Sequence, residues 1–192
     1  MSDEHPTQSA PAPAAAQPPH DAGLRVLKSW TRDLFFSVAF ALLIILFVYQ
    51  PVKVEGSSME PGLEDQERIF INKLVYRLET IERGDIIVFR YPRDHRKSFI
   101  KRVIGVPGDR VRVVEGHVYL NGELLPEPYV PQDYFDSRSY EERLVKPDTY
   151  YVMGDHRSMS NDSRDFGLVP RANIYGKAVF GYWPMEKLGT LR

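Results

Sequence analysis

The chain has 192 residues, 25 basic and 26 acidic side chains for a net charge of −1, and no cysteine. Disulfides, Cys-ligated zinc and Fe–S clusters are therefore excluded, and the balanced charge argues against nucleic acid as a partner. Five histidines (His5, His20, His95, His117 and His156) lack ligand-like spacing, so no metal and no cofactor is expected.

Residues 1–23 are rich in Pro, Ala and polar side chains. They hold too little apolar surface to offset the entropy of ordering, which predicts a disordered tail. Residues 24–33 form a basic segment with Arg25, Lys28 and Arg32. From Leu34 the chain reads LFFSVAFALLIILFVY, apolar on every face and free of charge. Sixteen residues cover about 24 Å as a helix, and continuation to Val52 approaches the roughly 30 Å of a hydrocarbon core. A transmembrane helix over 34–52 follows, with the lipid bilayer as a partner and Trp30 and Tyr49 near its interfaces. Only Lys53 follows closely, so the positive-inside rule puts the N-terminus in the cytoplasm and residues 53–192 outside. The segment VYQPVKVEG offers no small-x-small cleavage site, so the span is expected to be retained as a single-pass anchor.

Beyond the span the texture changes to short runs rich in Val, Ile, Tyr and Phe, punctuated by Gly, Pro and Asp. These are VKVEG, RIFINKLVY, DIIVFRY, SFIKRVIGV, DRVRVVEGHVYLNG, TYYVMGD and KAVFGYW. Asn121-Gly122 between two apolar stretches predicts a hairpin. Residues 74–81 fit either a short helix or a strand, and residues 126–146 are expected to be a surface excursion. The predicted fold class is mostly β: an exported β domain preceded by one N-terminal transmembrane helix.

Three segments carry candidate chemistry. In EGSSMEP, residues 55–61, two adjacent hydroxyls follow the anchor, and local chemistry does not rank Ser57 against Ser58. A serine becomes a nucleophile only when a base takes its proton, and no histidine is near in sequence. In SFIKRVIGV, Lys101 lies within an apolar run on the face opposite Ile100 and Arg102. If Arg102 faces solvent, Lys101 faces inward, where burial would lower its pKa and suit it to serve as a base. A lysine whose ammonium snorkels to water is the ordinary alternative. The third segment, GDHRSMSNDSRDFG at 154–167, is either a solvated loop or a cluster that positions a catalytic group, with Asp162 and Arg164 as a bracing pair.

In this order the segments resemble bacterial type I signal peptidase, the membrane-anchored Ser–Lys protease. SSMEP is similar to the family's S-M-x-P box, FIKRVIGVPGD to K-R-V-x-G-x-P-G-D, and GDHRSMSNDSRDFG to G-D-N-R-x-x-S-x-D-S-R. The likeness runs from about Val52 to Trp183. It implies a serine endopeptidase of the bacterial cytoplasmic membrane that removes signal peptides from exported preproteins after an Ala-x-Ala-type site. Ser58 would be the nucleophile and Lys101 the general base. Ser160 would hydrogen-bond and orient the lysine, and Asp162 with Arg164 would brace its loop. The Ser58 amide would form part of the oxyanion hole, next to Gly56 and Ser57. Substrate would add as a strand near residues 52–56 and 99–101, over shallow pockets lined by Val54, Met59, Leu63 and Ile100. Three positions depart from the usual pattern: Gly56 where many members have serine, Gly62 for Thr, and His156 for Asn. His156 is taken as structural, because Lys101 is present. The competing expectation is a non-catalytic membrane-anchored β domain that binds exported polypeptides.

Overall fold

A computed structural model describes residues 21–191, so the tail predicted over 1–23 lies almost wholly outside the described residues. The chain divides into two compact units, residues 1–44 and 45–192, which are described separately.

In the first unit a long helix begins. The whole element, α1, runs Asp21–Val48, so the basic segment and the apolar run form one helix. Its stretch Val26–Val48 is 23 residues long, about 34 Å, and apolar enough to cross a membrane. Phe35, Phe36, Phe40, Leu46 and Phe47 are all largely exposed. The helix stops at Val48, four residues short of the Val52 expected from composition. Pro51 has no N–H to continue a helix, and Tyr49–Lys53 instead forms a strand, β1. Its place at a sheet edge tolerates the missing donor.

The second unit is antiparallel throughout. After β1 come β2 (Arg68–Asn72), the single-turn helix α2 (Val75–Leu78), β3 (Ile86–Tyr91) and the twelve-residue β4 (Asp94–Gly105). The short helix resolves the ambiguity over 74–81. Next are β5 (Arg110–Val114), β6 (His117–Leu120), β7 (Glu123–Leu124), β8 (Tyr140–Leu144) and β9 (Thr149–Met153). The chain closes with α3 (Ser163–Phe166), β10 (Val169–Pro170), β11 (Ile174–Trp183) and β12 (Gly189–Thr190). The main sheet has the order β1-β2-β11-β3-β4-β9-β10, with β12 on β11, and a smaller sheet has the order β7-β6-β5-β8. The expected hairpin joins β6 to β7: Asn121 and Gly122 both have positive φ (55° and 90°), as a tight turn between twisted strands requires.

Two features of the main sheet make a site. The edge strand β1 pairs only with β2. The outer half of β4 pairs only with β3, since β9 joins it from Arg102 onward. Residues Ser98–Lys101 therefore leave one side of β4 without a strand partner.

Residues 126–146 are not a plain surface excursion. They contain β8, which extends the small sheet, and they place Asp136 in the interior at 8% exposure. Buried arginines from another part of the chain draw these acidic residues inward, an arrangement that local polarity does not signal.

Candidate active site

Ser58 sits in a loop fastened at both ends. Val54 donates its amide to Glu67 O (2.7 Å) and Gln66 donates to Val54 O (2.9 Å), closing the base. Inside, Glu60 N–H bonds Ser57 O and Leu63 N–H bonds Met59 O. Met59 and Leu63 plug the loop into the core beside Ile69, Ile71, Ile86 and Val88. These two residues were expected to line substrate pockets. At 1% and 0% exposure they pack in the core and hold the polar loop to it.

Lys101 projects from β4 toward this loop. Its Nζ donates to Ser58 Oγ at 2.5 Å and to Ile100 O at 3.0 Å. The Nζ also lies 5.6 Å from the Phe99 ring centre. The lysine is 4% exposed. Burial lowers its pKa to about 8, against the pull of Asp162 and Asp155, which favour the charged form. A base with that pKa is uncharged in a useful fraction near neutral pH. In that state the same contact runs the other way, with the Ser58 hydroxyl donating to Nζ. Ser57, by contrast, offers its carbonyl oxygen to the His156 ring (3.3 Å).

Strand alternation does send Lys101 and Arg102 to opposite faces, but neither face is solvent. Arg102 is 3% exposed and grips Asp155 with two bonds, Nε–Oδ1 at 2.9 Å and Nη2–Oδ2 at 2.7 Å. Lys101 faces inward, but the premise that Arg102 faces solvent fails because loop 154–167 and residues 126–129 cover the second face. Periodicity reports which face a side chain takes, not what covers it.

Loop 154–167 is braced as the sequence suggested, and more heavily. Arg164 meets Asp162 through Nε–Oδ1 and Nη2–Oδ2, both 2.8 Å, and reaches Asp136 Oδ2 at 2.7 Å. Asp162 also caps α3 in a capping box with Asp165, and it accepts the Gly154 amide at 3.0 Å. Ser160 Oγ is buried yet has no hydrogen-bond partner, so the expected bond to Lys101 is absent. It packs against Gly154, near the Ser58 carbonyl. His156 donates its backbone N–H to Ser58 O (3.2 Å), while its ring lies tilted against Tyr134, centroids 4.0 Å apart, and faces Glu60. The ring is engaged away from the Ser58 hydroxyl, in keeping with a structural residue.

A cleft of about 900 Å³ runs between β1 and the open side of β4. It is lined by Val52, Val54, Gly56, Ser57, Ser58, Ile100 and Lys101, and also by Phe99, Met159 and Tyr175, which sequence did not single out. Gly56 has φ +91° and its N–H is held by Asp65 Oδ1 at 2.7 Å. Among the described residues no group of His, Asp or Glu is placed to hold a metal ion.

The family model described as signal peptidase, peptidase S26, matches residues 27–183. The chain belongs to the signal peptidase family of serine proteases. A signal peptidase I of Leptolyngbya laminosa is 40% identical, over 99% of this chain and 95% of that protein. Signal peptidase I S of Bacillus subtilis is 37% identical, over 83% and 90%. A crystal structure of a signal peptidase I from Enterococcus faecalis V583 superposes with a TM-score of 0.46 at 31% identity, covering 52% of this chain and 97% of that one. Within this signal peptidase family member, Arg102, Asp155, Arg157, Glu127 and Asp136 surround the site, and of these Glu127 and Asp136 carried no sequence cue. The arginines and Asp155 sit inside the matched boxes, but the two acids that complete their pairs come from 126–146.

Gly154 has no room for a side chain. A Cβ there would collide with Ser160 Oγ and the Ser58 carbonyl. Gly154→Ala is expected to cost about 1–3 kcal/mol and to displace Ser58. Thermal melting and peptide cleavage of the variant check this, and an unchanged melting point with full activity would show that the loop relaxes freely.

Proposed function

We propose that this signal peptidase family member is a membrane-anchored endopeptidase that removes signal peptides from exported preproteins, with Ser58 as nucleophile and Lys101 as general base. The carrying observation is the 2.5 Å contact between Ser58 Oγ and the Nζ of a buried lysine. Neutral Lys101 takes the hydroxyl proton as Ser58 attacks the scissile carbonyl. The lysine then hands that proton to the leaving amine and activates the water that hydrolyses the acyl-enzyme. The oxyanion is stabilised by the Ser58 amide, since the Gly56 amide is already committed to Asp65.

Substrate lies extended in the cleft and pairs with the free sides of β1 and of Ser98–Lys101. Val54 and Ile100, with Val88 and Tyr175 on the cleft wall, favour small side chains of the Ala-x-Ala type at the cut. Ser160, Asp162 and Arg164 hold the loop against the dyad. Anchoring by α1, with the N-terminus in the cytoplasm of a bacterial cell and the β unit outside, confines enzyme and preprotein to one bilayer. That raises their effective concentration.

The test uses the full chain in detergent with a preprotein carrying an Ala-x-Ala site. Wild type is expected to cleave it, and Ser58→Ala to lose about a thousandfold or more. Activity that survives Ser58→Ala but not Ser57→Ala would overturn the assignment. No cleavage by wild type would favour a domain that only binds exported chains.

A further inference from the structure

Two buried arginines stand on either side of the Gly154–Asp155 step that underlies Ser58. Arg157, 1% exposed, donates Nε to Gly154 O at 3.0 Å. Arg102, next to Lys101 on β4, holds the Asp155 carboxylate through both its oxygens. Their outer sides converge on one short segment, Glu127-Pro128-Tyr129, which follows the β6–β7 hairpin of the small sheet. Glu127 takes Arg157 in a two-pronged grip, Nη1–Oε2 at 2.7 Å and Nη2–Oε1 at 2.5 Å. The Tyr129 ring lies 4.2 Å from the Arg102 guanidinium carbon, and its hydroxyl donates to Glu127 Oε1 at 2.9 Å. The loop that follows that hairpin of the small sheet thus closes over the back of the site.

Removing this segment would leave both guanidinium groups buried with part of their partners gone. Arg157 would retain Gly154 O, and Arg102 would retain Asp155 and Gly84 O. The backbone that meets Ser58 O and the strand that carries Lys101 would lose their rear support together. We infer that Glu127 and Tyr129 are positioning residues that fix Ser58 and Lys101 relative to each other through Arg157 and Arg102. The inference rests on the Ser–Lys assignment proposed above.

The experiment compares full-length wild type, Glu127→Gln, Tyr129→Leu and Tyr129→Phe in detergent, below their melting temperatures. Steady-state cleavage is combined with NMR titration of the Lys101 side chain. A displacement of the reacting atoms by an ångström costs on the order of a hundredfold, so a partial loosening should lower kcat about tenfold with KM within twofold in Glu127→Gln and Tyr129→Leu. Tyr129→Phe, which keeps the ring over Arg102, should retain most of the activity. In Tyr129→Leu, β4 loses its rear support at Arg102, the packing around Lys101 loosens, and the lysine titration should move upward from about 8. The charges facing that ammonium, Asp162, Asp155 and Arg164, are unchanged in the variant. Loss of cleavage only in proportion to the unfolded fraction, or an unmoved kcat and titration, would overturn the inference. The titration is read without substrate, so a wild type that fails to cleave would sink the proposed function and still leave the clamp decided by Lys101.

Discussion

Lys101→Met is expected to abolish peptide cleavage and at the same time to make the folded protein more stable at neutral pH. The activity loss follows from removing the amine that, among the described residues, meets the Ser58 hydroxyl and that we propose as its base, and about a thousandfold or more is expected. The stability gain follows from the depressed pKa. Lys101 titrates at about 8 in the folded chain and near its ordinary 10.5 when unfolded. Below pH 8 both states carry the proton, and the folded state bears the full penalty of burying it. Between pH 8 and 10.5 the folded lysine is neutral, so the penalty shrinks as pH rises and vanishes above 10.5. At pH 7 the penalty is about 3 kcal/mol. Methionine keeps an apolar stem of similar length without the charge. Denaturation in detergent at pH 7 and at pH 10.5 should show a gain at the first and little at the second. A gain that does not change with pH, or a variant that still cleaves, would contradict the assignment. In wild type the same titration predicts that cleavage falls as pH drops below about 8, because protonated Lys101 accepts nothing from Ser58.

Asp162→Ala should be among the most damaging single changes. It leaves Arg164 buried with Asp136 as its one remaining carboxylate, strips the Gly154 amide of its acceptor and uncaps α3. Breaking one side of a buried ion pair costs about 3–5 kcal/mol. Cleavage should fall with it, since Gly154 packs on the Ser58 carbonyl. The double variant Asp162→Ala/Arg164→Met removes the orphaned charge and should recover part of the stability without recovering activity. Urea midpoints for the two variants decide this. A single variant within 1 kcal/mol of wild type (by the usual urea extrapolation), or a double variant no more stable than the single, would show that the pair is not what holds the loop.

Much of this molecule is legible locally. Charge-free length marks α1, short runs rich in Val, Ile, Tyr and Phe mark β3, β4, β5 and β11, and Asn121-Gly122 marks its hairpin, because each signal depends only on neighbours in the chain. The three boxes around Ser58, Lys101 and Asp162 are legible as a resemblance. The end of α1 was misplaced by composition, which sees that Tyr49 and Val52 are apolar but not that β2 offers them a strand partner. The depth of Met59 and Leu63 was equally illegible: an apolar side chain in a loop looks the same in sequence whether it lies at the surface or pegs the loop to a core. Ser160 was expected on the lysine, and it packs on Gly154 instead.

Sequence alone determined most of the elements, the long apolar helix and the three segments from which the proposed dyad is drawn. The resemblance named Ser58 over Ser57, and the tertiary structure brings its hydroxyl to Lys101; only the tertiary structure decided that Arg102 is as buried as its neighbour and that Glu127 and Asp136 complete the ion pairs behind the site. Ser58 and Lys101 are 43 positions apart and Arg157 and Glu127 are 30 apart. Contacts of that range are set by how the sheets close, a cooperative outcome of burial that no local pattern encodes.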